Sequence, residues 1–457
     1  MFKTKKPKYN AQWHYIRGRE LITKRDYGGQ IAHFTDAINL DPKFAEAYLF
    51  RGNARRIIGD ADGALEDYNQ AILLRPKLCQ AYYSRGIVYA EKGLFDEALR
   101  DFDYAIRRDP HNSNAYMRRA YVHIQLGNSQ AVIDDMNQAV KIALSAIDRV
   151  AMLELRAVAQ WDLGNLDAAI ADFTLNINYD PYRASTYFHR GGVFQAQKKF
   201  DEAIADYSRA IELTKDFADP YYRRADVHSQ MGDSTSALAD LAAAIEIEDD
   251  NPDYYLFRGR ILRRNKDYDA AIADFTKVIE LAPDRTDGYI DRTIALHSKE
   301  DHASIIRDFS EAIRLKPDEW LWFNDRGVSR NKIGDLDGAL ADYQQARDLN
   351  PTSALVHSNL ASIHIQKDAL NTALEYAEKA IELDPAYHNG YNNRGEVYRL
   401  RGHYDAALAD FEKAQQLKAE SQYSYLGLAL THFKLGNIEQ AQAFWTQALA
   451  LEPRYGD

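Results

Sequence analysis

The chain has 457 residues, and 57 Lys and Arg against 68 Asp and Glu give it a formal net charge of −11. That balance excludes a dedicated nucleic-acid binder, whose affinity rests on neutralising phosphates with a basic surface, and a surface drawn to anionic lipid. One cysteine, Cys79, closes no intrachain disulfide, and no run reaches 18 apolar residues, so a cytoplasmic protein that spans no membrane is expected.

Residues 1–10 read as a basic tail with four lysines and no apolar stretch behind it, which is not the pattern of a secretory signal. From residue 11 one period governs the chain. Pro42, Pro76 and Pro110 stand 34 residues apart, as do Pro283, Pro317, Pro351 and Pro385. Alanines such as Ala71, Ala105 and Ala139 mark a second place, each with a bulky residue three before it. Gly59, Gly93, Gly127, Gly164, Gly232, Gly334, Gly402 and Gly436 mark a third. Thirteen repeats fit, near residues 11–44, 45–78, 79–112, 113–149, 150–183, 184–217, 218–251, 252–285, 286–319, 320–353, 354–387, 388–421 and 422–455, as one array over 11–457. The interval from Gly127 to Gly164 is 37 rather than 34, which makes residues 141–152 a candidate hinge.

Each repeat reads as two helices. In the third, Ala81, Tyr82, Ile87 and Val88 recur at helical spacing until Gly93 ends the first helix. Asp96 is the expected N-cap of the second, whose Ala98, Leu99, Phe102, Ala105 and Ile106 form an apolar stripe. Pro110 stops it, since proline has no N–H and disfavours helix at the residue before it. The stretch from Ala81 to Pro110, with its Gly-x-Phe-Asp-x-Ala turn and Ala…Pro ending, resembles the tetratricopeptide repeat family over residues 11 to 453. The resemblance implies an all-α fold, a right-handed superhelical solenoid of thirteen antiparallel helix pairs, with first helices lining the concave side.

The chain departs from that family at the seventh place of the repeat, commonly leucine there and arginine in eleven repeats here. The twenty-third place is aspartate in ten. The two change together: Leu360 goes with Tyr376 and Leu428 with Phe444, and only Arg17, with His33, breaks the rule. Ten ion pairs inside the repeats follow: Arg51–Asp67, Arg85–Asp101, Arg119–Asp135, Arg156–Asp172, Arg190–Asp206, Arg224–Asp240, Arg258–Asp274, Arg292–Asp308, Arg326–Asp342 and Arg394–Asp410.

Places two, five, nine and twelve share one face of the first helix, the concave face by resemblance. Along it Tyr83, Tyr121, Trp161, Tyr222, Arg260, Arg263 and Arg399 supply the aromatic and arginine anchors common at protein interfaces. Asn324, Asn359, Asn392 and Asn393 fall at fifth or sixth places, where stacked amides suit an extended peptide backbone. The lysine and asparagine clamp for a C-terminal carboxylate, familiar in the family, is not recognisable. No catalytic, cofactor or metal constellation is expected: the 13 histidines are scattered, and Asp60-x-Asp62-Gly63 lacks the rest of a calcium loop. Apolar Phe444, Trp445, Leu449 and Leu451 on the last helix leave room for self-association. The function expected is a non-catalytic scaffold holding a protein or peptide partner in its groove. The alternative is a regulatory or substrate-targeting subunit of a multiprotein enzyme.

Overall fold

The computed structural model describes residues 10–451, so the basic tail up to residue 9 and the end of the last repeat with Pro453 lie outside the described residues. Among the described residues 26 helices follow one another from Ala11–Glu20 to Ile438–Leu451, with no strand. They fall into two compact halves, one up to residue 240 and one from residue 241. Within each half, the two helices of a repeat pack on each other, and the second packs on the first helix of the next repeat.

The turn inside the repeat explains one of the glycine rows. Each of the eight glycines from Gly59 to Gly436 has a φ between 67° and 88°. At Gly59 the amide donates to Arg56 O at 3.1 Å and the next amide, of Asp60, to Arg55 O at 2.9 Å. That is the Schellman arrangement, which needs a left-handed residue. In the other five repeats the same place holds Arg25, Lys198, Lys266, Glu300 and Asp368, all with φ between 55° and 65°. An L side chain costs about 1–2 kcal/mol there, partly offset by the chain entropy that glycine would add. Lys198→Gly, Lys266→Gly and Asp368→Gly are each expected to stabilise the fold by roughly 0.5–1 kcal/mol. A thermal midpoint of the triple variant at or below that of the parent would refute this.

Second helices are capped one residue after that turn. Asp60 accepts from Gly63 N at 2.9 Å and Asp335 from Gly338 N at 3.0 Å. Asp60 is thus a cap rather than a calcium ligand. Asp96 is not the cap of its helix: Phe95–Arg108 is preceded by Leu94 at that place, and Asp96 lies in the first turn. There its charge meets the positive end of the helix dipole, a weaker use of the same carboxylate.

The core of a repeat is an aromatic ring seated on a glycine. Seven repeats have glycine at place eight, and each opposes a ring of the second helix, as Gly52 does Tyr68 and Gly259 does Phe275. Phe34, Tyr68, Phe102, Tyr207 and Phe275 are fully buried. The three residues added before the fifth repeat are absorbed by lengthening its first helix, Ala146–Asp162, to 17 residues, with Ser145 accepting from Asp148 N as its cap. Ala143 before it is extended and Leu144 fully exposed.

Candidate functional site

The charged pairs stand inside the repeats. Arg258 donates from Nε and Nη2 to the two carboxylate oxygens of Asp274 at 2.8 and 2.7 Å. The same two-pronged contact joins Arg85 to Asp101, Arg190 to Asp206, Arg292 to Asp308 and Arg394 to Asp410. Arg51, Arg119, Arg156, Arg224 and Arg326 meet Asp67, Asp135, Asp172, Asp240 and Asp342 likewise. All ten aspartates are buried. An aromatic ring three residues earlier lies against most of the guanidiniums, Tyr255 at 5.6 Å from Arg258 and Tyr48 at 5.5 Å from Arg51. Hydrogen bonds to Asp274 hold Arg258 above its ordinary value, against the pull of burial.

The remaining nitrogen reaches backwards. Nη1 of Arg51 donates to Thr35 Oγ1, that of Arg85 to Asn69, of Arg190 to Thr174 and of Arg326 to Ser310, each on the second helix of the preceding repeat. Asp103, Asn137, Ser208 and Thr276 serve Arg119, Arg156, Arg224 and Arg292. One guanidinium therefore fastens three helices. With Nε, Nη1 and Nη2 so engaged, these eight arginines have little left for a ligand, whereas Arg258 and Arg394 make the pair within the repeat without the backward bond among the described residues.

Clefts open along the first helices, and three of them bear on binding. In the N-terminal half Trp161, Phe188, Gly192 and Tyr207 line one of about 520 Å³. A Cβ on Gly192 would meet Cη2 of Trp161 at 2.6 Å, so glycine is what lets the outer edge of that ring approach the next helix. Gln195 links Tyr207 to Asp226 at 2.8 and 2.7 Å, and burial pushes the neighbouring His189 below the ordinary imidazole range. In the C-terminal half Arg260, Arg263 and Arg264 border a second, but Asp291 accepts from Arg260 at 2.8 Å and Arg263 at 2.9 Å and cancels much of its charge.

The third cleft, of about 390 Å³, is lined by amides and hydroxyls from three successive first helices: Ser358, Asn359 and Ser362, then Asn389, Asn392 and Asn393, then Tyr423 with Leu426 and Leu430. Asn393 donates to Ser358 O and Oγ at 2.8 Å, and Asn359 to Asn324 Oδ1 at 2.8 Å. Each of these amides spends its NH2 on the preceding repeat and leaves its carbonyl oxygen as an acceptor.

Profiles described as "TPR repeat" match residues 52–93, 193–232 and 327–368, and profiles described as "Tetratricopeptide repeat" match 79–112, 113–145, 222–286, 354–387, 376–409 and 423–455. The chain belongs to the tetratricopeptide repeat family. Among solved structures this tetratricopeptide array is similar to YrrB, described as a TPR protein with an unusual peptide-binding site, at 22% identity over 43% of this chain and 97% of that one, with a TM-score of 0.38. It is similar to the Cut9–Hcn1 hetero-tetramer structure of the APC/C (15%, 97% and 94%, 0.41) and to yeast Tom70 (18%, 98% and 99%, 0.33). No curated protein matches the sequence.

Within the tetratricopeptide array the residues marked from the sequence have different fates. Tyr121 is 43% exposed and Trp161 lines its cleft, whereas Tyr83 leans into the core beside Phe102 and Tyr222 lies near Arg223. Asn324 and Asn392 are buried: the first lies beneath the cleft and accepts from Asn359, and the second lines it while held by Ser421 and Ser424. Arg399 is paired with Glu396 at 2.6 Å. Burial pushes Asp325, beside Asn324, above the ordinary carboxylate range. In the last repeat Phe444 stacks on His432, while Trp445 and Leu451 stay exposed. No helix among the described residues is long and apolar enough to cross a membrane. His14, His33 and Asp36, not singled out from the sequence, bring their ligand atoms within 4.8 Å of one another.

Proposed function

We propose that the chain is a non-catalytic scaffold that holds an extended segment of a partner protein in the amide-lined cleft of repeats eleven to thirteen. The observation that carries this reading is the alignment of Asn359 and Asn393 one repeat apart, each braced by the repeat before and each offering a carbonyl oxygen. A peptide backbone presents N–H groups that such oxygens accept, and it does so whatever its side chains. Leu426, Leu430 and the 63% exposed Tyr423 supply apolar ground beside the amides, which favours a segment carrying apolar or aromatic residues. Further support comes from the second cleft, where Asp291 already engages Arg260 and Arg263.

Peptides selected for binding to the full chain from a random library provide the test. Asn359→Ala with Asn393→Ala is expected to weaken them about tenfold or more, each lost acceptor being worth about a kilocalorie. Selected peptides that bind the double variant as tightly as the parent would show that the cleft is not the site.

A further inference from the structure

The geometry points to a divalent transition-metal site of the zinc class, made by His14, His33 and Asp36 of the first repeat. His14 Nδ1 lies 3.3 Å from His33 Nδ1 and 3.3 Å from Asp36 Oδ2. A tetrahedral zinc ion with bonds of about 2.0–2.1 Å holds neighbouring ligand atoms about 3.3 Å apart, so two of the three separations already suit it. Two imidazoles and one carboxylate are a ligand set that such an ion takes, with a fourth position left for water. His33 and Asp36 are one turn apart on helix Tyr27–Leu40 and share a face, while His14 comes from helix Ala11–Glu20.

The placement follows a substitution in the repeat pattern. His33 stands where ten other repeats carry the aspartate that binds the arginine of the first helix. Arg17, deprived of that partner, turns outward to Glu20 at 2.6 Å and is 53% exposed. The gap it leaves is occupied by the two imidazoles, with the Trp13 ring edge-on to both, its centroid 5.0 Å from His14 and 5.9 Å from His33. His14 is 15% exposed, which fixes its ring, whereas Asp36 is 55% exposed and free to adjust its rotamer to close on an ion. In this repeat a metal would join the two helices as the arginine–aspartate pair joins them in ten others.

The test titrates the untagged full chain with Zn²⁺ by calorimetry. One ion per chain is expected to bind, and amide exchange in residues 11–40 is expected to slow when it does. His33→Gln and Asp36→Asn should each weaken binding about tenfold or more, while His432→Gln leaves it unchanged. Asp36 is a surface residue, so its variant separates loss of a ligand from loss of fold, with far-UV circular dichroism as the check. An affinity weaker than about 100 µM for the parent, or affinity unchanged in both ligand variants, overturns the assignment.

Discussion

Asp274→Ala is expected to lose about 3–5 kcal/mol of folding stability, because it strands a charged group in a desolvated gap. Arg258 would keep Nε and Nη2 aimed at the place its carboxylate held, beneath the ring of Tyr255. This pair is the clean one to test. The residue that would serve Arg258 from the preceding repeat is Ala242, so Asp274 is its chief partner. Replacing both charges is a different matter, since a buried ion pair gains little over apolar residues that fill the same space. The chain itself shows the apolar alternative: in the eleventh repeat Leu360 and Tyr376 occupy these two places within one apolar cluster. Arg258→Leu with Asp274→Tyr should therefore recover most of the loss. A double-mutant cycle in denaturant measures the coupling, and a value near zero would sink the reading of the pair as a unit.

Gly259→Ala is expected to cost about 1–3 kcal/mol. Its new Cβ would sit 2.7 Å from Phe275 Cε1 and 3.0 Å from two more ring carbons. The ring is fully buried among Tyr255, Ala271 and Val278, so an added methyl displaces packed neighbours; the fifth repeat, where Ala157 faces Phe173, is built around that pair from the start. Phe275→Met added to it should restore much of the stability, because the fourth repeat pairs Ala120 with Met136 and buries both completely. Methionine bends where a ring cannot. Amide exchange in helices Pro252–Arg264 and Tyr268–Leu281 gives the local readout. A neutral Gly259→Ala would mean that the ring does not set the distance between the two helices.

The repeat and its helix pairs were legible because proline, glycine and alanine each do one local job at a fixed place. The arginine–aspartate pairs were legible for a different reason: their identities change together at Leu360 and Leu428. What escaped was the third helix that each arginine reaches. Its acceptors are Thr35, Asn69, Asp103, Ser208 and others, residues so ordinary on an exposed helix that their common place draws no notice. The misplaced cap at Asp96 has a similar origin, since the register of Asp60 and Asp335 puts the cap two residues earlier, on a leucine. His14 and His33 are 19 residues apart and resemble scattered histidines until the helix pair closes. The asparagine row was seen as a row, but its division into buried supports and outward acceptors depends on rotation about each helix axis. A single sequence does not fix that rotation.

The backward reach of the arginines bears on how freely the array can change its spacing. In a linear array, stability is a sum of terms within repeats and between neighbours. Charged fastenings join six junctions in succession, from Thr35–Arg51 to Ser208–Arg224, and two more at Thr276–Arg292 and Ser310–Arg326. Beyond Arg326 there is no further fastening of this kind among the described residues. Leu360 and Leu428 have no charge to offer at that place, and the junctions are joined instead by amides such as Asn359 and Asn393 and by contacts elsewhere, Lys367–Asp337 and Arg401–Asn371 among them. The amide-lined cleft thus lies where neutral amide hydrogen bonds, rather than backward-reaching arginines, join successive first helices.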